Sequence, residues 1–107
     1  MSLYIANDIN IELLGLTTED GAYVTDAAIS CVIIDPTGNS LATVSLAYLG
    51  TSVSVGGQTY KDGNYRGVLS GSNSPALVAG TIYTLSYSAS NYGLKIVHYE
   101  TAQARVG

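Results

Sequence analysis

The sequence predicts an all-β domain, an antiparallel sandwich of about seven strands, and three observations carry that prediction. No window repeats apolar residues at i, i+3, i+4 and i+7 with good helix formers between them. The chain falls instead into short runs rich in Val, Ile, Thr and Tyr. Turn-forming Gly, Asn, Asp, Pro and Ser separate these runs about every eight to twelve residues, the spacing of a sandwich.

Residues 9–14 open the pattern, with Ile9, Ile11 and Leu13 alternating with Asn10 and Glu12. A polar loop, Thr17-Thr18-Glu19-Asp20-Gly21, leads to Ala22-Tyr23-Val24. Residues 28–34 are apolar on both parities apart from Ser30, which predicts a central strand with a neighbour on each side. Asp35-Pro36-Thr37-Gly38-Asn39 predicts a tight turn. Residues 41–49 alternate again, placing Val44, Leu46 and Tyr48 on one face. Residues 51–55 read as a short edge strand that Gly56-Gly57 ends, and Asp62-Gly63-Asn64 reads as a turn before a strand over 65–69. Residues 70–75 are a loop. The cleanest alternation is 81–90, with Tyr83, Leu85, Tyr87 and Ala89 on one face and Thr84, Ser86 and Ser88 on the other. Asn91-Tyr92-Gly93 turns the chain into a last strand over 94–101, apolar on both faces through Leu94 and Ile96 on one side and Val97 and Tyr99 on the other.

The 107 residues suit one domain spanning 1–107, with no linker and no internal repeat. Charged residues are 11% of the chain, against about 25% in average soluble domains. Ser, Thr, Gly and Asn must therefore cover the surface, which lowers the entropy lost when another protein docks. The four basic residues, Lys61, Arg66, Lys95 and Arg105, are scattered in a chain of net charge −4, so no nucleic-acid footprint is expected. No apolar run reaches the length of a membrane-spanning helix, and Met1-Ser2-Leu3-Tyr4 has no signal-peptide character.

The segment Leu77-Val78-Ala79-Gly80-Thr81-Ile82-Tyr83 resembles the tyrosine corner of fibronectin type III and related immunoglobulin-like sandwiches. The resemblance implies that Tyr83 reaches back to backbone a few residues upstream, with Leu77 and Gly80 completing a structural corner. The order Asp62-Gly63-Asn64-Tyr65-Arg66-Gly67, then Leu77, Gly80 and Tyr83, is also similar to small immunoglobulin-like proteins of tailed bacteriophages and prophages. The phrases Leu14-Gly15-Leu16-Thr17 and Ala22-Tyr23-Val24-Thr25-Asp26-Ala27 agree with that pattern. It implies a head, neck or tail protein of a virion, and it carries no catalytic residue. Ala79 stands where proline is common, and the chain has no Trp, a usual core anchor of such domains.

Chemistry-bearing residues are sparse. His98 is the only histidine and lies in strand context without a nucleophile elbow, so neither a catalytic triad nor a metal site is expected around it. Cys31 is the only cysteine; it permits no internal disulfide and reads as a small core residue. Glu19, Asp20 and Asp26 share one loop but lack calcium-loop spacing and read as a solvated acidic loop. The chain is therefore expected to be no enzyme and to need no cofactor or metal. Nine Tyr with no Trp or Phe is the stronger signal, because Tyr suits half-buried positions. Tyr23, Tyr60, Tyr92 and Tyr99 are the candidate protein-contact residues. The expectation is a structural or interaction module binding itself or other virion subunits. Carbohydrate binding or adhesion is the alternative, disfavoured by the missing Trp.

Overall fold

Nine strands are present among the residues that the computed structural model describes, namely 2–5, 7–18, 20–71, 77–91 and 97–106. They are β1 (Ser2–Ile5), β2 (Ile9–Leu13), β3 (Ile29–Ile34), β4 (Ser40–Tyr48), β5 (Val53–Val55), β6 (Gln58–Tyr60), β7 (Tyr65–Leu69), β8 (Ile82–Ala89) and β9 (Val97–Val106). Seven join edge to edge in the order β1, β9, β8, β3, β4, β7, β2, and β5 with β6 forms a separate hairpin. The chain is all-β, with one correction to the antiparallel expectation: β1 runs parallel to β9, from Ser2 beside Gln103 to Ile5 beside Val106.

The shape of the sheet has a covalent cause. The seven-stranded run begins with β1 and ends with β2, yet residues 6–8 alone separate Ile5 from Ile9. That tether spans at most about 15 Å, whereas seven strands laid flat would hold their outer members about 29 Å apart. The sheet therefore curls until nearly closed, leaving a seam, rather than dividing plainly into two sheets. Much of the bend lies in β4. Its residues 40–46 pair with β3, while Ala47 and Tyr48 pair with Arg66 and Tyr65 of β7. Gly67 permits the crossing, since a Cβ there would sit 2.4 Å from the Ser45 carbonyl oxygen. Val44 and Leu46 are buried as expected, but Tyr48 lies past the crossing and is exposed.

Alternation fills the core. β8 contributes Tyr83, Leu85, Tyr87 and Ala89, and central β3, flanked by β8 and β4, contributes Ile29, Cys31 and Ile33. β2 and β7 add Ile9, Ile11, Tyr65 and Leu69 to the same cluster. β9 extends to Val106, past the end at residue 101 that the sequence suggests, because Ala102 and Ala104 are buried, the latter in register with fully buried Leu3. Gly56 and Gly57 do not simply end β5. With φ of 59° and 82° they make the two-residue turn into β6.

Candidate interaction surface

Where the chain crosses between parts of the sheet, side chains satisfy its backbone. The Val78 N–H donates to the Tyr83 hydroxyl at 2.8 Å, so Tyr83 holds the β7–β8 connection from a buried ring. Leu77 is buried in the core, and Gly80 has φ of 85° and donates its N–H to the Ala104 carbonyl at 2.8 Å. Tyr65 plays a similar part between β2 and β3. Its ring is fully buried, its O–H donates to the Val24 carbonyl at 2.8 Å, and it accepts the Ala27 N–H at 3.2 Å. Burial pushes its phenol pKa upward.

Asn64 is the fixed point of this end of the molecule. Its side-chain oxygen accepts the Gly15 N–H at 2.9 Å, and its amide donates to the Thr51 and Tyr60 carbonyls, each at 2.9 Å. Three separate segments thus meet on one fully buried amide. Gly63 beside it has φ of 69°, and a Cβ there would lie 2.4 Å from the Leu16 carbonyl oxygen. In the sequence these residues show only as a turn. Asparagine and glycine in a turn look the same whether solvated or, as here, buried against a second loop.

β9 is treated differently. Ala104 donates to Thr81, and Ser90 on the adjoining ladder donates to Ala28. These bonds fix the parity of the β8 ladders, because opposed antiparallel residues alternate between bonded and non-bonded pairs. His98, Glu100, Ala102 and Ala104 direct their amides and carbonyls toward β8. Val97, Tyr99 and Thr101 direct theirs toward the opposite edge. β1 covers that edge only from Gln103 onward. Among the described residues, no strand pairs with it over 97–101.

The surface flanking this edge is poor in charge. Outward-facing rows run Val97, Ser88, Ser30, Ser45 and Tyr99, Ser86, Val32, Thr43 across β9, β8, β3 and β4. Neither row contains a charged group. Tyr99 is 64% exposed and Val97 39%. On the inner side of the edge lies an open groove of about 420 Å³, lined by residues 13–17, Val97 and His98. Its position marks the seam of the curled sheet.

Inside the seam, the Tyr87 hydroxyl donates to a Glu100 carboxylate oxygen, and the His98 ring lies 5.7 Å from the Tyr87 ring. Burial, then the Glu100 carboxylate, raises the Tyr87 pKa. The Cys31 thiol is pushed up to about 11, by burial first and the Glu100 charge second, against a hydrogen bond with Tyr87 that acts the other way. A thiol held protonated is a packing group, not a nucleophile. Among the described residues, the His98 side chain has no hydrogen-bonded Ser or Cys, and no three His, Cys, Asp or Glu side chains are grouped to hold a metal.

The four candidate contact tyrosines do not form one patch. Tyr99 lies on the open edge. Tyr23 is 45% exposed, opposite Thr17 in an isolated bridge near the groove. Tyr60 belongs to β6 and is half-buried, its ring 2.8 Å from where a Cβ on Gly15 would be. Tyr92 falls outside the described residues, as do Glu19, Leu94 and Ile96. No described helix is long and apolar enough to cross a membrane. Comparison with protein-family models, with curated proteins and with solved structures found no match to the chain.

Proposed function

We propose that this chain is a non-catalytic interaction module with an immunoglobulin-like sandwich architecture, working as a subunit of a larger protein assembly such as a bacteriophage particle. Support for the architecture comes from connectivity. The β2–β7 pair packs its inner face, through Ile11 and Tyr65, into the same core as β9–β8–β3, and a tyrosine ties the chain where it passes from β7 to β8. Support for the particle setting is the sequence resemblance alone.

The observation that carries the interaction reading is the half-covered strand β9. A free soluble domain ordinarily blunts a sheet edge with charge, proline or a covering segment. Over 97–101 the only charged side chain is Glu100, and its carboxylate is engaged inward by Tyr87. The neutral Ser- and Thr-rich rows beside it have little desolvation penalty on contact.

Two measurements on the isolated domain test this reading: light scattering across a concentration series, and binding to a glycan array. The reading expects mass that grows with concentration and no saturable glycan binding. A strict monomer that saturates with one glycan class would overturn it in favour of the carbohydrate-binding alternative.

A further inference from the structure

The open stretch of β9 has a property beyond being uncovered: it is complementary to itself. Residues 97–101 are centred on Tyr99. Place a second β9 antiparallel against the first, about a two-fold axis through Tyr99. Tyr99 then faces Tyr99, and Val97 faces Thr101. These are the residues whose amides and carbonyls point out of the edge, so each such pair exchanges two backbone hydrogen bonds. On the inner side, His98 of each copy falls opposite Glu100 of the other, putting a ring N–H donor beside a carboxylate twice. On the outer side, the tyrosine rings meet as a cross-strand aromatic pair. The stretch ends where β1 takes over the edge at Gln103, which stops the pairing after about five residues.

We infer that the partner at this edge is a second copy of the chain, joined β9 to β9 into one continuous sheet through an isologous two-fold contact. The inference rests on the interaction reading above and names the partner. Other registers lose the complementarity. Moving the axis by one residue, onto Glu100, sets Glu100 against Glu100, and moving it onto His98 sets His98 against His98. A contact this short belongs to the weak, reversible class of interfaces.

Proline at residue 99 tests the pairing selectively. The Tyr99 amide points away from β8, so its loss removes no hydrogen bond to another described residue, and proline is tolerated where a strand amide faces an open edge. Sedimentation velocity is run on the wild-type chain and on Tyr99→Pro, with circular dichroism to verify the fold. A cysteine pair needs no proline. Tyr99→Cys places two thiols across the axis at bridging distance, and Thr43→Cys, exposed on the far strand of the same face, is its control.

The expected result is a reversible dimer at protein concentrations of about 0.1–1 mM, weakened at least about tenfold by Tyr99→Pro. Tyr99→Cys should oxidise to a covalent dimer much faster than Thr43→Cys. Two results would overturn the pairing while leaving the assembly reading intact: self-association undiminished in folded Tyr99→Pro, or equal trapping by the two cysteine variants. A strict monomer with no trapped dimer would likewise overturn the pairing, and would leave a different protein as the partner in the assembly.

Discussion

The Asn64 corner and the open stretch of β9 solve the same problem in opposite ways. Both contain backbone that the main sheet ladders do not satisfy. At the corner, three segments outside the main sheet ladders converge on one buried amide, and a buried tyrosine hydroxyl serves two more backbone groups nearby. At the β9 edge no side chain among the described residues serves that role, and the amides and carbonyls of Val97, Tyr99 and Thr101 face outward. Unpaired backbone polar groups persist only where water or another chain can reach them. The contrast therefore separates structure that must be closed for the domain to fold from structure that can remain open for a partner.

The largest effect expected from breaking this contrast is at the corner. Asn64→Leu leaves the Gly15 N–H and the Thr51 and Tyr60 carbonyls without their partner, and should destabilise by about 3–4 kcal/mol in a urea titration. A loss below about 1 kcal/mol would mean that water or neighbouring backbone replaces the amide without difficulty.

Next in size are the two pinning hydroxyls. Tyr65→Phe strips both partners from a fully buried oxygen and should cost about 2 kcal/mol, while Tyr83→Phe, with one partner, should cost about 1–2 kcal/mol. Equal stability of both variants and the wild type would remove the hydroxyls from the account. The order matters as much as the sizes, because it ranks the β2–β3 connection as the more tightly held.

A smaller effect is expected from alkali. The Cys31 thiol is raised from 9.0 to about 11 in the folded chain, so folding favours its protonated form. Its contribution is fully present below pH 9, declines as pH rises above the unfolded value, and is gone once pH passes the folded value. Cys31→Ala should flatten the stability profile between pH 9 and 11 relative to the wild type. The raised phenols of Tyr65 and Tyr87 leave a residual slope of the same sign. An unchanged profile would show that the thiol is not held protonated by the fold.

Much of this architecture was legible in the sequence, for physical reasons that can be named. β8 alternates without a break because one face meets the core and the other stays at the surface. β3 buries Ile29, Cys31 and Ile33 in the core, while Ser30, Val32 and Ile34 on its other face are half-buried between the neighbouring strands β8 and β4. The misses share a cause as well. β1 is four residues long and pairs with residues about a hundred positions away, which local periodicity does not register. The second half of β9 hides because Ala102 and Ala104 have weak strand propensity and are buried by tertiary contact. β6 was obscured because paired glycines both end strands and turn hairpins. As for the candidate surface, Tyr99 and Val97 were visible as apolar strand residues. Their openness depends on where β1 stops, which only the fold determines.

Amide hydrogen exchange along β9 tests the central claim most directly. In dilute protein, His98, Glu100 and Ala102 should be protected by their bonds to β8, while Val97, Tyr99 and Thr101 should exchange at least about tenfold faster. Protection should return to Val97, Tyr99 and Thr101 as the concentration is raised and copies pair. Uniform protection from residue 97 to residue 102 in dilute protein would contradict the account, since the edge would then already be covered within a single chain.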